Sequence, residues 1–148
     1  MLNLNKYNQK IKYLPIISFI YIFSFYSHAN SLLDNLDVPN GFEITVFADE
    51  LNTPRQITET ESGYVIVGSK KGDKIFALYD TNHDGYAEKK ILIANGLQNP
   101  TGVSFYKGDL YFAEIDTIWI VKNIDDWLNN GSETLPTKTV FMNDLPSE

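Results

Sequence analysis

Leu51-Asn52-Thr53-Pro54 and Leu97-Gln98-Asn99-Pro100 are one phrase written twice, 46 residues apart, and Leu145-Pro146 opens it again 48 residues further on. The segments downstream of the two copies repeat as well. Gly63-Tyr64-Val65-Ile66-Val67 returns as Gly108-Asp109-Leu110-Tyr111-Phe112, and Asp73-Lys74-Ile75 has its counterpart near Thr117-Ile118. Around these lies a series of short apolar runs: Ile75–Tyr79, Ile91–Ala94, Val103–Tyr106, Leu110–Ala113, Ile118–Val121 and Thr139–Met142. They are rich in β-branched and aromatic residues and bounded by turn residues, as strands covered on both faces are. Four short strands per unit of about 40–50 residues is the period of a β-propeller blade. A sandwich also shows turn signals at regular spacing, but here the repeating block is four strands long, not two. The reading is an all-β fold with about two four-stranded blades, an N-terminal strand and one short helix.

The N-terminal strand is predicted over 42–48, because Phe42-Glu43-Ile44-Thr45-Val46 alternates with a period of two. The helix is predicted after Asn123 as N-cap, with Asp125 and Asp126 in the first turn, Ile124, Trp127 and Leu128 on one face, and Gly131 as the stop. On this plan the propeller portion runs over 42–148, with a first repeat at 51–96, a second at 97–144 and the start of a third at 145–148.

Upstream the chain is of another kind. Lys6, Lys10 and Lys12 precede an apolar run from Leu14 to Tyr26, which ends in Ser27-His28-Ala29. A basic flank, a short apolar stretch and small residues at its exit form a secretory leader, expected over 1–29 and followed by a lead-in over 30–41. The apolar run is shorter than the ~20 residues a spanning helix needs, so the membrane is met only through the leader. Cleavage after Ala29 leaves 119 of the 148 residues, with 9 of the 12 basic groups and all 19 acidic ones, a net charge of −10. The expected location is therefore the periplasm or the cell exterior.

Composition excludes several functions. The chain contains no cysteine, which removes disulfide scaffolds, thiol nucleophiles, zinc knuckles and haem attachment. Its acidity argues against nucleic acid, whose binding relies on Lys and Arg displacing counterions.

If each unit runs as four strands outward from an axis, the connections between units and the turns between second and third strands share one face. Arg55, Gln98, Asn99 and Thr101 then sit where innermost strands begin, facing a central channel. Ser69, Lys70 and Lys71 in one turn, and Glu114 and Asp116 in the next, rim it. Arg55 is the single arginine of the chain and is suited to gripping a carboxylate through two parallel bonds. The competing reading is a surface ion pair with Glu59 or Glu61, worth ~0–1 kcal/mol. For Gln98 and Asn99 it is plain turn chemistry before Pro100.

A second constellation is Asp80-Thr81-Asn82-His83-Asp84-Gly85-Tyr86-Ala87-Glu88. Oxygen donors at alternate positions around a glycine suit a calcium ion, with Asp80, Asn82, Asp84, the Tyr86 carbonyl and Glu88 as ligands. An EF-hand is excluded, since Ile91 stands where its last glutamate belongs. The competing reading is a tight turn in which Asp and Asn bond to their own backbone. His83, at the tip of this loop, is a poor candidate for a catalytic base.

Three passages resemble the glucose/sorbosone dehydrogenases: Val38-Pro39-Asn40-Gly41-Phe42-Glu43-Ile44-Thr45-Val46-Phe47-Ala48 with Leu51…Pro54-Arg55, Ala77-Leu78-Tyr79-Asp80 through Glu88, and Gly96-Leu97-Gln98-Asn99-Pro100-Thr101-Gly102-Val103-Ser104-Phe105 with Gly108 to Glu114. The resemblance covers Leu36 to Glu148. It implies a six-bladed propeller of the soluble quinoprotein type that oxidises an aldose or related sugar with pyrroloquinoline quinone (PQQ) held on calcium. It also implies that Gln98 and Asn99 lie near the sugar hydroxyls, and that the histidine acting as base follows the segment resembling Asp144–Glu148, so that no catalytic residue lies within the chain. The expectation is an N-terminal portion of such an oxidoreductase, inactive alone. The alternatives are a propeller serving as a non-catalytic binding module and a lactonase-like propeller hydrolase.

Overall fold

The structure is a computed structural model describing residues 33–146. The expected leader at 1–29 lies outside the described residues. Two compact units are distinguished, Met1–Asp37 and Val38–Glu148. In the first, Leu33–Asn35 forms a single 3-10 turn, closed by the Leu36 N–H on the Leu33 carbonyl at 3.0 Å.

The second unit is mostly β. Strands β1 (Pro54–Glu59), β2 (Val65–Ser69), β3 (Ile75–Tyr79) and β4 (Lys89–Ala94) form one antiparallel sheet in chain order. Strands β5 (Gly102–Tyr106), β6 (Asp109–Ala113), β7 (Ile118–Val121) and β8 (Lys138–Met142) form the other, and helix α1 (Ile124–Asn130) lies between β7 and β8. The apolar runs form strands because each alternates between two packing faces. β1, Pro-Arg-Gln-Ile-Thr-Glu, has no such run and joins the sheet only because β2 offers it a ladder.

The two sheets follow one register plan. Ile57–Val67–Phe76–Leu92 stand side by side across the first sheet, and Val103–Phe112–Trp119–Val140 across the second. The neighbouring rows are Thr58–Ile66–Ala77–Ile91 and Ser104–Tyr111–Ile120–Thr139. Even the irregularity between third and fourth strands recurs, at Ile75/Phe76 and at Ile118/Trp119. The repeat in the sequence is therefore a repeat of strand pairing.

The sheets meet through β1, β2 and β5. Ile66, Ile75, Ala77 and Ile93 from the first pack with Val103, Leu110, Phe112 and Val121 from the second in one core, to which α1 adds Ile124 and Leu128. Complete burial of a side chain such as Phe112 or Leu110 contributes about 1.5–3 kcal/mol. The other face of the first sheet, with Val67 and Leu78, is covered by Phe47, Ala48 and Leu51.

Helix α1 begins and stops where expected, but not by the expected cap. Asn123 takes a left-handed φ of 51° and its side chain caps nothing. Instead the Asn123 N–H donates to Asp109 Oδ1 at 3.0 Å, and the Ile124 N–H to the Gly108 carbonyl at 2.8 Å. The hairpin turn of β5–β6 thus performs the capping. Gly131, at φ 66°, ends the helix in the left-handed conformation that costs glycine least.

The N-terminal strand over 42–48 is a correction. Residues 42–48 form no strand, because no neighbouring strand offers them a ladder; Phe47 accepts one bond, from the Ala87 N–H at 2.8 Å. Its apolar residues are used otherwise, Phe47 against the first sheet and Phe42 left 73% exposed. Among the described residues, no helix is long and apolar enough to cross a membrane.

Candidate functional site

In an antiparallel meander, successive connections alternate between the two edges of the sheets. One edge gathers the approach to β1, the β2–β3 turn, the β4–β5 connection and the β6–β7 turn. These segments are tied to each other. The Thr53 carbonyl accepts from the Lys70 N–H at 2.9 Å, and Thr53 Oγ1 accepts from the Lys71 N–H at 3.0 Å. The Pro100 carbonyl accepts from the Ser69 N–H at 2.8 Å, and the Asp73 carbonyl from the Leu97 N–H at 3.0 Å.

Both pre-proline residues are left-handed, Thr53 at φ 47° and Asn99 at φ 50°. For the β-branched Thr53 this is strained, and such outliers gather at functional sites. The residue before each repeat's leucine is left-handed as well: Glu50 at φ 52°, Gly96 at φ 66° and Asp144 at φ 59°.

This edge brings Gln98 and Asn99 together with Lys71, Asp73, Asn52 and Ile115 around an open cleft of about 400 Å³. Asn52 and Asp73 are cleft residues that sequence reasoning does not single out; the signals that could have found them are the repeat, in which Asn52 is the counterpart of Gln98, and the Lys-Gly-Asp turn at 71–73. Glu114 lies in the same neighbourhood but both of its oxygens are used. Oε1 accepts from the Gln98 N–H at 2.5 Å, and Oε2 accepts from Trp119 Nε1–H at 2.6 Å. Lys138 Nζ stands 4.0 Å away. Glu114 therefore holds the Gln98 loop in place. Thr101 is half-buried and engaged in the turn, its N–H on the Asn99 carbonyl at 2.6 Å and its hydroxyl at 3.3 Å from the same oxygen.

Arg55 is exposed, and its side chain forms no ion pair or hydrogen bond among the described residues. The competing pair with Glu59 or Glu61 is thus not made. Arg55 and Gln56 together oppose the single residue Gly68, a bulge that the second sheet lacks. Bulges of this kind re-aim a side chain next to a site. Gly68 is required here: a Cβ would come within 2.6 Å of the Thr101 carbonyl oxygen and 2.7 Å of that of Pro100. Gln56 secures the seam by donating from Nε2 to the Val103 carbonyl at 3.2 Å.

The Asp80–Glu88 loop, between β3 and β4, lies on the opposite edge, beside the β1–β2 turn and α1. Carboxylate oxygens of Asp80, Asp84 and Glu88 lie within 4.8 Å of one another. Asp80 is surrounded by donors, accepting from the His83 N–H at 2.6 Å and the Gly85 N–H at 2.8 Å. Slight removal from water raises its pKa, yet the backbone donors Gly85, His83, Asp84 and Asn82 together outweigh it and hold the carboxyl below the ordinary aspartate range. Glu88 is also lowered, first by the Thr81 N–H. Asn82 Nδ2 donates to Glu88 Oε1 at 2.6 Å and Asp84 Oδ2 at 3.1 Å, so its amide hydrogens stand where a cation would. To ligate, Asn82 has to turn its oxygen inward and release the Asp84 N–H from Oδ1. The Tyr86 hydroxyl donates to Asp49 Oδ1 at 3.0 Å, a bond that raises the tyrosine pKa. His83, at this edge, has no access to the cleft residues.

Residues 33–135 match the family described as "Domain of unknown function (DUF7133)". A protein of Borreliella burgdorferi strain B31, described as "Uncharacterized protein", is 33% identical over 129 residues, which make up 86% of this chain and 31% of that protein. The chain thus spans about a third of its relative's length. No solved structure matches. On the match over 33–135, the chain belongs to the DUF7133 family.

Proposed function

We propose that this chain forms the first two blades of an exported β-propeller, and that the edge carrying Arg55, Gln98 and Asn99 contributes to a channel site for a small polyhydroxylated substrate of the aldose type. The observation that carries the reading is the convergence, on one edge, of exposed amides, Lys71, Asp73 and an unpaired Arg55 displayed by a bulge. Amides and carboxylates exchange hydrogen bonds with sugar hydroxyls, and a guanidinium recognises carboxylate or quinone oxygens.

In the dehydrogenase form of this proposal, PQQ would serve as hydride acceptor. Arg55 is the residue of this chain suited to one of its carboxylates. Around it the cleft is amide-rich, with Lys71 and Asp73 as its charged groups, so this chain furnishes only part of a quinone site. No described residue is assigned as general base, and the two blades by themselves are expected to be inactive. The Asp80–Glu88 loop, on the far edge, would hold calcium in a structural role only. A non-catalytic binding module needs the same cleft and no base, and is the second reading.

Two assays test this. The chain supplied with PQQ, calcium, an artificial dye and a panel of aldoses should show no dye reduction; turnover would overturn the partial-site reading. The whole Borreliella burgdorferi relative should reduce dye in a manner dependent on both PQQ and an aldose. If it instead binds aldoses without turnover, the binding module replaces the dehydrogenase.

A further inference from the structure

The two sheets are built on one plan, yet apolar side chains that the first sheet buries against the second have exposed equivalents on the second sheet's outer strand. Ile66, Ile75, Ala77, Ile93 and Ala94 lie on the face of the first sheet that packs on the second, and none is more than 6% exposed. Their register equivalents in the second sheet are Tyr111, Ile118, Ile120, Phe141 and Met142. All five are apolar. Ile120 is 6% exposed and Tyr111 and Ile118 are half-buried, whereas Phe141 is 55% exposed and Met142 48%, and Phe141 meets Tyr111 edge-on with ring centroids 5.2 Å apart. An apolar face of this kind on a sheet marks an interaction surface.

The chain beyond β8 continues the same plan. The Leu145 N–H donates to the Asp116 carbonyl at 3.1 Å, as the Leu97 N–H donates to the Asp73 carbonyl at 3.0 Å. Asp144 is left-handed as Gly96 is. In the first instance this approach leads directly into β5, which packs on the first sheet. The interface between the sheets is thus set up to be repeated.

We infer that the face formed by Tyr111, Ile118, Ile120, Phe141 and Met142 is the seat of a third four-stranded antiparallel sheet of the same repeat, which presents a row equivalent to Val103–Phe112–Trp119–Val140. A second copy of this chain is a poorer occupant. The matching face of its first sheet, around Val67 and Leu78, is already covered by its own Phe47, Ala48 and Leu51. The inference deepens the propeller proposal by naming what the second blade binds, and it makes no use of the ligand site.

Met142 is the reporter, since the chain's other methionine is Met1. The full chain is compared with a version in which residues 97–146 are repeated after Glu148, the added methionine being replaced by leucine. Peroxide oxidation is followed by peptide mass spectrometry. Met142 should be oxidised about tenfold more slowly in the extended chain, because thioether oxidation follows exposure. Phe141→Lys in the original sheet should return the rate to that of the unextended chain, and protection that persists in that variant would place the shielding elsewhere and overturn the inference. An unchanged Met142 rate in the extended chain overturns it too. So does a stable dimer of the unextended chain, seen by sedimentation, in which Met142 is already protected, since that assigns the face to a second copy. No activity is read, so failure here is separable from failure of the sugar-binding assay.

Discussion

Removing the carboxylate of Glu114 should destabilise the second unit by about 1.5–3 kcal/mol, and the structure says where that figure comes from. The side chain is 14% exposed and accepts from two donors, the Gln98 N–H and Trp119 Nε1–H. In Glu114→Ala the indole N–H is left half-buried without an acceptor, costing about 1–2 kcal/mol, while water reaches the exposed Gln98 N–H and limits its loss to about 0.5–1 kcal/mol. Lys138, 4.0 Å away, adds little because such long pairs contribute ~0–1 kcal/mol. Glu114→Gln keeps one acceptor oxygen and should lose about half as much. Urea unfolding followed by tryptophan fluorescence reads this directly. With a slope of about 1–3 kcal/mol per molar urea, Glu114→Ala should move the midpoint by about 0.5–3 M. A double-mutant cycle with Trp119→Phe should return a coupling of about 1 kcal/mol or more. Midpoints unchanged in both Glu114 variants would refute the view that this carboxylate anchors the β4–β5 connection.

Gly68→Ala should cost about 1–3 kcal/mol, because backbone oxygens of Pro100 and Thr101 already stand where its Cβ would go; thermal unfolding matching the parent would show that the seam is looser than described. Asp109 is held below its ordinary pKa first by Lys122 Nζ at 2.6 Å and then by the Asn123 N–H. A lowered folded pKa contributes stability that is fully present above the unfolded value of about 3.9 and is lost as pH falls through the folded one. The stability gap between parent and Asp109→Asn should therefore be constant from about pH 5 to neutrality and close in stronger acid; a gap independent of pH would contradict the pairing. Calorimetric titration of calcium into the parent and the Asp80→Ala/Asp84→Ala variant should give heats that only the parent shows, and identical heats would leave the loop as a hydrogen-bonded turn.

Most strands were legible because each alternates between two packing faces, and that pattern is local. Ile75–Tyr79 and Ile118–Val121 stand where the apolar runs placed them. β1 was not legible. Its residues are mostly polar and exposed, with Ile57 its single aliphatic side chain, so no pattern betrays Pro54–Glu59, and only the ladder offered by β2 makes it a strand. Residues 42–48 are the converse, a good alternating pattern that pairs with no strand. At the cleft, Gln98 and Asn99 could be named from the repeat, and so could Asn52 as the counterpart of Gln98, whereas Asp73 arrives from a turn far from them in sequence. The spent state of Glu114 was invisible as well, since its partners lie 16 and 5 residues away and meet it only after two turns have closed.

The amino-acid sequence alone determined the all-β class, the four-strand period, the helix and its glycine stop, and the acidic character, because each follows from local pattern or from composition. Tertiary structure decided which apolar rows are covered and which stay exposed, whether Arg55 is paired among the described residues, and on which edge the Asp80–Glu88 loop and the cleft residues fall. Those outcomes depend on register and on distances between segments tens of residues apart, quantities that arise only when the sheets close on one another.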